Sequence, residues 1–182
     1  MRHLVLILAL TAAVPAVAQV VPAPSTEAAR VSLLLGAIWR PLAPPDGRST
    51  QVLMQAACEG ALEEMAQLDL RLPEDLSPEA LAPVRATRGL VIVPTEEDPA
   101  NVFIFPDPQL TAIASGLGQV RLDPAGAGRL VLRDAAGQES QVQLGSASGH
   151  RMMRLRPPGQ TAATLFVGCA PTTGAGALSS PG

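Results

Sequence analysis

The chain contains no lysine and no tyrosine, and Asn101 is its only asparagine. Aromatic residues make up 2% of it, charged residues 16%, and there are two cysteines. Each scarcity removes a class of reading. Without lysine there is no S-x-x-K nucleophile–base pair. Arginine is then the only strong cation available, and its use in place of lysine reads as coding bias and is not itself evidence of function. The formal net charge is −3 and becomes −4 once Arg2 leaves with the leader described below. A nucleic-acid partner would call for a basic surplus, and none is present. His3 also lies in the leader, which leaves His150 as the single histidine of the remaining chain. With both cysteines committed to each other, no tetrahedral zinc set remains, and no cofactor is predicted. Beyond the amino terminus the longest apolar run covers residues 31–39. That is about half of the ~18 residues a membrane-spanning helix needs.

What is present at the amino terminus is specific. Met1-Arg2-His3 is a short positive segment, and residues 4–13 are continuously apolar apart from Thr11. A run of about ten residues suits the h-region of a signal peptide and is too short to span a bilayer. Val14-Pro15 breaks it, and Ala16-Val17-Ala18 is an A-x-A site that predicts cleavage between Ala18 and Gln19. The expected organisation is a signal peptide over residues 1–18, a linker over 19–30, one globular domain over 31–171, and a Gly/Ser/Ala/Pro tail over 172–182 without fixed structure. The expected localisation is periplasmic or secreted.

Export decides how Cys58 and Cys169 are read. In an oxidising compartment two distant cysteines pair, whereas in the cytosol they remain thiols. Cys58 lies in the best amphipathic segment, residues 50–70, in which Leu53, Ala57, Cys58, Ala61, Leu62 and Met65 form one stripe of a 3.6-residue period. Ser49 or Thr50 supplies the cap. Cys169 ends the apolar run Ala163-Thr-Leu-Phe-Val-Gly-Cys169. A Cys58–Cys169 disulfide is therefore predicted, clamping the main helix to the last strand.

Between these points the pattern changes from helical to extended. Residues 26–37 read as a short helix, or 31–39 as a strand. Trp39 reads as an apolar plug beneath a proline-rich loop. Ser77-Pro78-Glu79 marks a helix start that Pro83 should end within about one and a half turns. Gly89 to Pro94 and Val102 to Phe105 read as strands, and Asp107-Pro108 as the start of another short helix. From Val120 onward, short alternating runs separated by Gly-rich turns predict hairpins of an antiparallel sheet, with residues 145–149 as one of the loops. The predicted fold is α+β: a mostly antiparallel sheet with one main amphipathic helix packed on it. The alternative is a β-sandwich with an appended helix.

Candidate chemistry is sparse. Ser148 with His150, or Ser115 with the same histidine, offers a hydroxyl and a base, but no G-x-S-x-G surrounds either serine. No catalytic residue is assigned, and a hydrolase using Ser148 or Ser115 with His150 stands as an alternative only. Glu96, Glu97, Asp98 and Asn101 could offer oxygens to calcium, but their spacing matches no EF-hand loop. Arg129, Arg133, Arg154 and Arg156 alternate with apolar residues and fall on the wet side of their strands. They are the candidate anion-facing patch, to be met by an anionic envelope component or a protein partner. A third possibility is an apolar-ligand or lipid-binding pocket between helix and sheet, lined by Met65, Val91, Phe103 and Phe105. The leading functional expectation is a soluble exported module that binds or scaffolds without catalysis and does not span a membrane.

Overall fold

The computed structural model describes residues 21–22, 26–43, 47–61, 63–64, 78–124, 126 and 128–170. The segments predicted as leader and tail, and residues 65–77, which include Met65, lie outside this set. In chain order the elements are β1 (Val21–Pro22), α1 (Glu27–Leu34), β2 (Ile38–Pro41), α2 (Thr50–Cys58), α3 (Pro78–Ala86), β3 (Leu90–Pro94), β4 (Asn101–Phe105), β5 (Gly116–Leu122), β6 (Leu130–Arg133), β7 (Glu139–Ala147), β8 (His150–Arg156) and β9 (Thr164–Cys169). All strand pairings are antiparallel. β2 through β9 are joined in the order β7-β6-β5-β4-β3-β2-β9-β8, and β8 pairs again with β7, closing an eight-stranded barrel. β1 adds two residues beside β7 at Gly145 and Ser146, past the end of β6.

The closed barrel corrects the expectation of an α+β sheet carrying one main helix, and also the sandwich alternative. Two long-range pairings make the difference. β9 lies between β8 and β2, with Cys169 opposite Ile38, and β7 is long enough to pair β6 near its start and β8 along its remainder. The period-2 pattern marks which residues face inward but not which strand closes on which. α2 also ends earlier than the periodicity predicts, although Ala61, Glu63 and Glu64 beyond it are again helical. It is capped by Ser49, whose Oγ accepts from the Val52 N–H, and it stops at Cys58 because Gly60 adopts φ +75°. Its buried residues are Leu53 and Met54, the latter outside the predicted stripe. α3 runs through Pro83 to Ala86, longer than predicted. Residues 107–113 form successive turns instead of a helix.

The barrel is filled. Trp39, Leu90, Ile92, Ile104, Leu130, Leu132, Met153, Leu155 and Phe166 are fully buried within one cluster along its axis. Two glycines provide the space. A Cβ on Gly168 would lie 3.0 and 3.1 Å from the Trp39 ring, and one on Gly118 would collide with Ile104 and the Arg133 carbonyl. α1 closes one mouth, placing Val31 and Leu34 in the same cluster. Its last carbonyls are satisfied from the barrel: Trp39 Nε1 donates to Leu34 O at 2.8 Å, and the inward Arg151 donates to the carbonyls of Leu33 and Leu35. Trp39 is thus an interior residue tied to α1, not a plug beneath a loop. The loop between β4 and β5 closes the opposite mouth with Leu110 and Ile113.

That second closure depends on one buried carboxylate. Asp134 accepts from the N–H groups of Ala136 and Gln138 in its own turn and from Ala114 N–H of the closing loop, all within 3.0 Å. An Asp134→Ala variant leaves these donors without their acceptor and is expected to lose about 1–3 kcal/mol in urea unfolding. Amide exchange at Ala114 should accelerate with it. Unchanged exchange there would mean that Leu110 and Ile113 hold the loop unaided.

Outside, two helices cover one side. α3 places Leu81 and Val84 over Ile38, Val91, Val93 and Phe105. α2 places Met54 against Ala147, Met152, Val167 and Cys169. The Cys58–Cys169 disulfide, with Cα atoms 5.3 Å apart and a sequence separation of 111, fixes α2 to β9. The wall of β5 to β8 away from these helices bears polar residues: Gln119, Arg121, Arg133, Glu139, Gln143 and Arg154 are exposed. A barrel with an apolar axis and an arginine-bearing wall reverses the arrangement of a membrane-spanning barrel. No helix among the described residues is long and apolar enough to cross a membrane.

Candidate anion-binding groove

The four candidate arginines fall on this outer wall but do not form one site. Arg133 pairs with Glu139 at 2.5 Å across the β6–β7 ladder, both side chains about half exposed. With Arg121 it borders a different recess. Arg121 itself faces Asp98 at 3.7 Å. Such exposed pairs contribute at most about 1 kcal/mol, but they offset the charge an approaching anion meets.

Arg129, Arg154 and Arg156 converge. They line a recess of about 230 Å³ together with Gln141, Gln143 and Thr161. The local fold places each. Arg154 and Arg156 are two residues apart on β8, so strand alternation puts both on the outer side. β7 supplies the floor, with Gln143 opposite Arg154 and Gln141 opposite Arg156. Arg129 arrives from the β5–β6 turn, closed by Asp123 N–H to Arg129 O and Gly126 N–H to Asp123 O. A Cβ at Gly126 would lie 2.3 Å from the Arg129 guanidinium, so a larger residue there would displace that side chain. The β8–β9 loop, turned by Gln160 N–H to Pro157 O, contributes Thr161 and Ala163.

Within the groove the charges are uneven. Arg129 approaches Asp123 at 3.5 Å and also donates to Gln141 Oε1 at 3.5 Å. Arg156 donates to the same Gln141 oxygen. Arg154 is exposed and makes no hydrogen bond or ion pair among the described residues. Among the described residues no acid lines the recess, and Asp123 is the acid paired to one of its arginines, so three positive charges face one negative there. Alternation alone suggests a patch of four arginines. Excluding Arg133 takes knowledge of the Glu139 pairing, and recognising Gln141 takes the β7–β8 register; neither is visible in local sequence.

The other candidates separate or are already filled. Ser148 adopts φ 49° and Gly149 φ 79°, a two-residue turn that joins β7 directly to β8. The positive φ at both central positions is that of a type I′ hairpin, so residues 145–147 belong to the strand and not to the predicted loop. Ser148 is exposed at this tip and has no hydrogen bond to His150 among the described residues. Ser115 precedes β5, beside the Asp134 turn, at the end of the barrel opposite His150. Val91 and Phe105 face outward and are buried under Leu81 and Val84, so the space proposed for an apolar ligand is occupied by α3. Asp98 accepts from Ala100 N–H, Asn101 accepts from Gln119, and no metal-binding cluster occurs among the described residues. Comparisons with protein-family models, with curated proteins and with solved structures find no match.

Proposed function

We propose that this chain is an exported binding module that uses a plugged β-barrel as a rigid platform for an acidic ligand of the cell envelope. The barrel axis is filled, so a ligand is met on the outside. The observation that carries the reading is the convergence of Arg129, Arg154 and Arg156 on one recess that no acid among the described residues lines. Rigid strands hold two of these side chains, and pre-organisation of this kind lowers the entropic cost of binding. The disulfide fits an oxidising compartment, and the A-x-A site after the apolar leader supplies a route there.

The test is titration of the folded protein with inorganic phosphate, sulfate and succinate at low salt, followed by backbone NMR. At least one should shift the amides of β8 and the β5–β6 turn. Arg154→Glu together with Arg156→Glu should abolish this at unchanged thermal stability, because both side chains point away from the core. Arg133→Glu should preserve it. Absence of binding by all three anions, or equal loss in the Arg133→Glu variant, overturns the proposal.

A further inference from the structure

The geometry points to a phosphomonoester dianion as the chemistry this groove takes, seated where the Gln141 side-chain oxygen now holds Arg129 and Arg156 together. The inference rests on the anion-binding reading above and narrows it.

Three observations carry it. First, the charge balance of Arg129, Arg154 and Arg156 against Asp123 is +2. A phosphomonoester, with about −1.5 to −2 charges and three acceptor oxygens, matches that balance, whereas a carboxylate or phosphodiester brings one charge. Second, the positive charge is focused. One neutral oxygen, Gln141 Oε1, accepts from both Arg129 and Arg156. Two guanidinium groups drawn to one point suit a single compact, multiply charged centre better than two separated carboxylates. Arg154, lacking a partner among the described residues, supplies the third guanidinium from the same strand. Third, a recess of about 230 Å³ is headgroup-sized, below the roughly 300–1,000 Å³ of pockets that enclose whole drug-like ligands. The remainder of the ligand therefore extends outside, where Leu165, 37% exposed and directly opposite Arg154, offers an apolar contact.

Glycerol phosphate should bind at least about tenfold tighter than its phosphodiester counterpart or succinate under one buffer condition, a difference that RT ln 10 equates to 1.4 kcal/mol. Two substitutions at one position separate seat from scaffold. Gln141→Glu places a fixed carboxylate between Arg129 and Arg156. It should lower glycerol phosphate affinity by more than about tenfold while the fold is kept or strengthened by the new ion pairs. Gln141→Ala vacates the seat and should leave affinity equal or higher. Co-sedimentation with zwitterionic vesicles containing phosphatidic acid or phosphatidylglycerol then identifies the source. Selective binding to phosphatidic acid assigns a lipid headgroup, and glycerol phosphate binding without vesicle binding assigns a free phosphomonoester. If succinate or the phosphodiester binds as tightly, or Gln141→Glu has no effect, the phosphomonoester inference fails while the anion-binding reading stands. If no anion binds, both fail.

Discussion

Replacing Cys58 and Cys169 together by serine is expected to lower unfolding stability by about 4–5 kcal/mol, measured by urea denaturation of the oxidised protein against the variant. The chain-entropy model assigns this magnitude to a closed loop of about a hundred residues, and the observed separation is 111. Total stability of a domain this size is of the order of 5–15 kcal/mol, so the variant should sit near the edge of folding. The loss should also be global, because nearly the whole barrel, from α2 to the end of β9, lies inside the loop. Amide exchange distinguishes this from a local clamp. Under the global account, protection falls in β3 to β8 as well as in α2. If protection falls in α2 alone and the urea midpoint moves by less than the equivalent of about 1 kcal/mol, the bond merely anchors a surface helix. Reduction with dithiothreitol should reproduce the variant's behaviour. The single variants Cys58→Ser and Cys169→Ser should match the double, because either one opens the loop.

Local patterning made some of this protein legible and long-range pairing hid the rest. β5 through β8 follow directly from alternation: Val120 and Leu132 point in, Arg121 and Arg133 point out, and glycine-bearing turns separate the runs. The disulfide followed from reading two distant cysteines behind a predicted export leader. Barrel closure did not follow. β2 is four residues, Ile38–Pro41, lodged between a short helix and a proline-rich turn, yet it has β3 on one side and β9 on the other. Nothing in Ile-Trp-Arg-Pro states that its partner lies more than a hundred residues later. The break after α2 was not foreseen because the apolar spacing continues past Gly60, where backbone geometry ends one helix and Ala61, Glu63 and Glu64 are again helical. Hydrophobic spacing identifies a face but does not locate a break.

The same division explains why the candidate site was only half visible. Outward arginines are readable from strand period, but which of them keep their charge available is decided by neighbours across the ladder. Glu139 lies opposite Arg133, whereas Gln143 lies opposite Arg154. A single acid-to-amide difference in the facing strand thus separates a neutralised surface pair from a cation with no partner among the described residues. On the proposed anion-binding reading, stability and recognition occupy different surfaces of β7 and β8. Their inward side chains fill the barrel while the outward Gln141, Gln143, Arg154 and Arg156 line the groove, so groove substitutions should change affinity with little change in stability.

Trp39→Ala is expected to cost about 3–5 kcal/mol, the range for removing a large aromatic from a packed interior. The site has little means to collapse. Its ring lies against Gly168, which has no side chain to fill a void, and against strands β3 and β9 that close the barrel on either side. A second contribution is polar. Trp39 Nε1 satisfies Leu34 O at the end of α1, and leaving a buried carbonyl unpaired costs about 1–3 kcal/mol. Trp39→Phe separates the two. It retains most of the apolar volume but removes the donor, so its loss should fall within that lower range and concentrate at α1. Accelerated amide exchange through residues 31–35, with β6 to β8 unaffected, is the expected signature. Arg151, which donates to the carbonyls of Leu33 and Leu35, holds the same helix end. Arg151→Met combined with Trp39→Phe should therefore be non-additive, because both substitutions release one element. Strict additivity, or an α1 whose protection is the same in all variants, would show that α1 stays in the barrel mouth through Val31 and Leu34 alone.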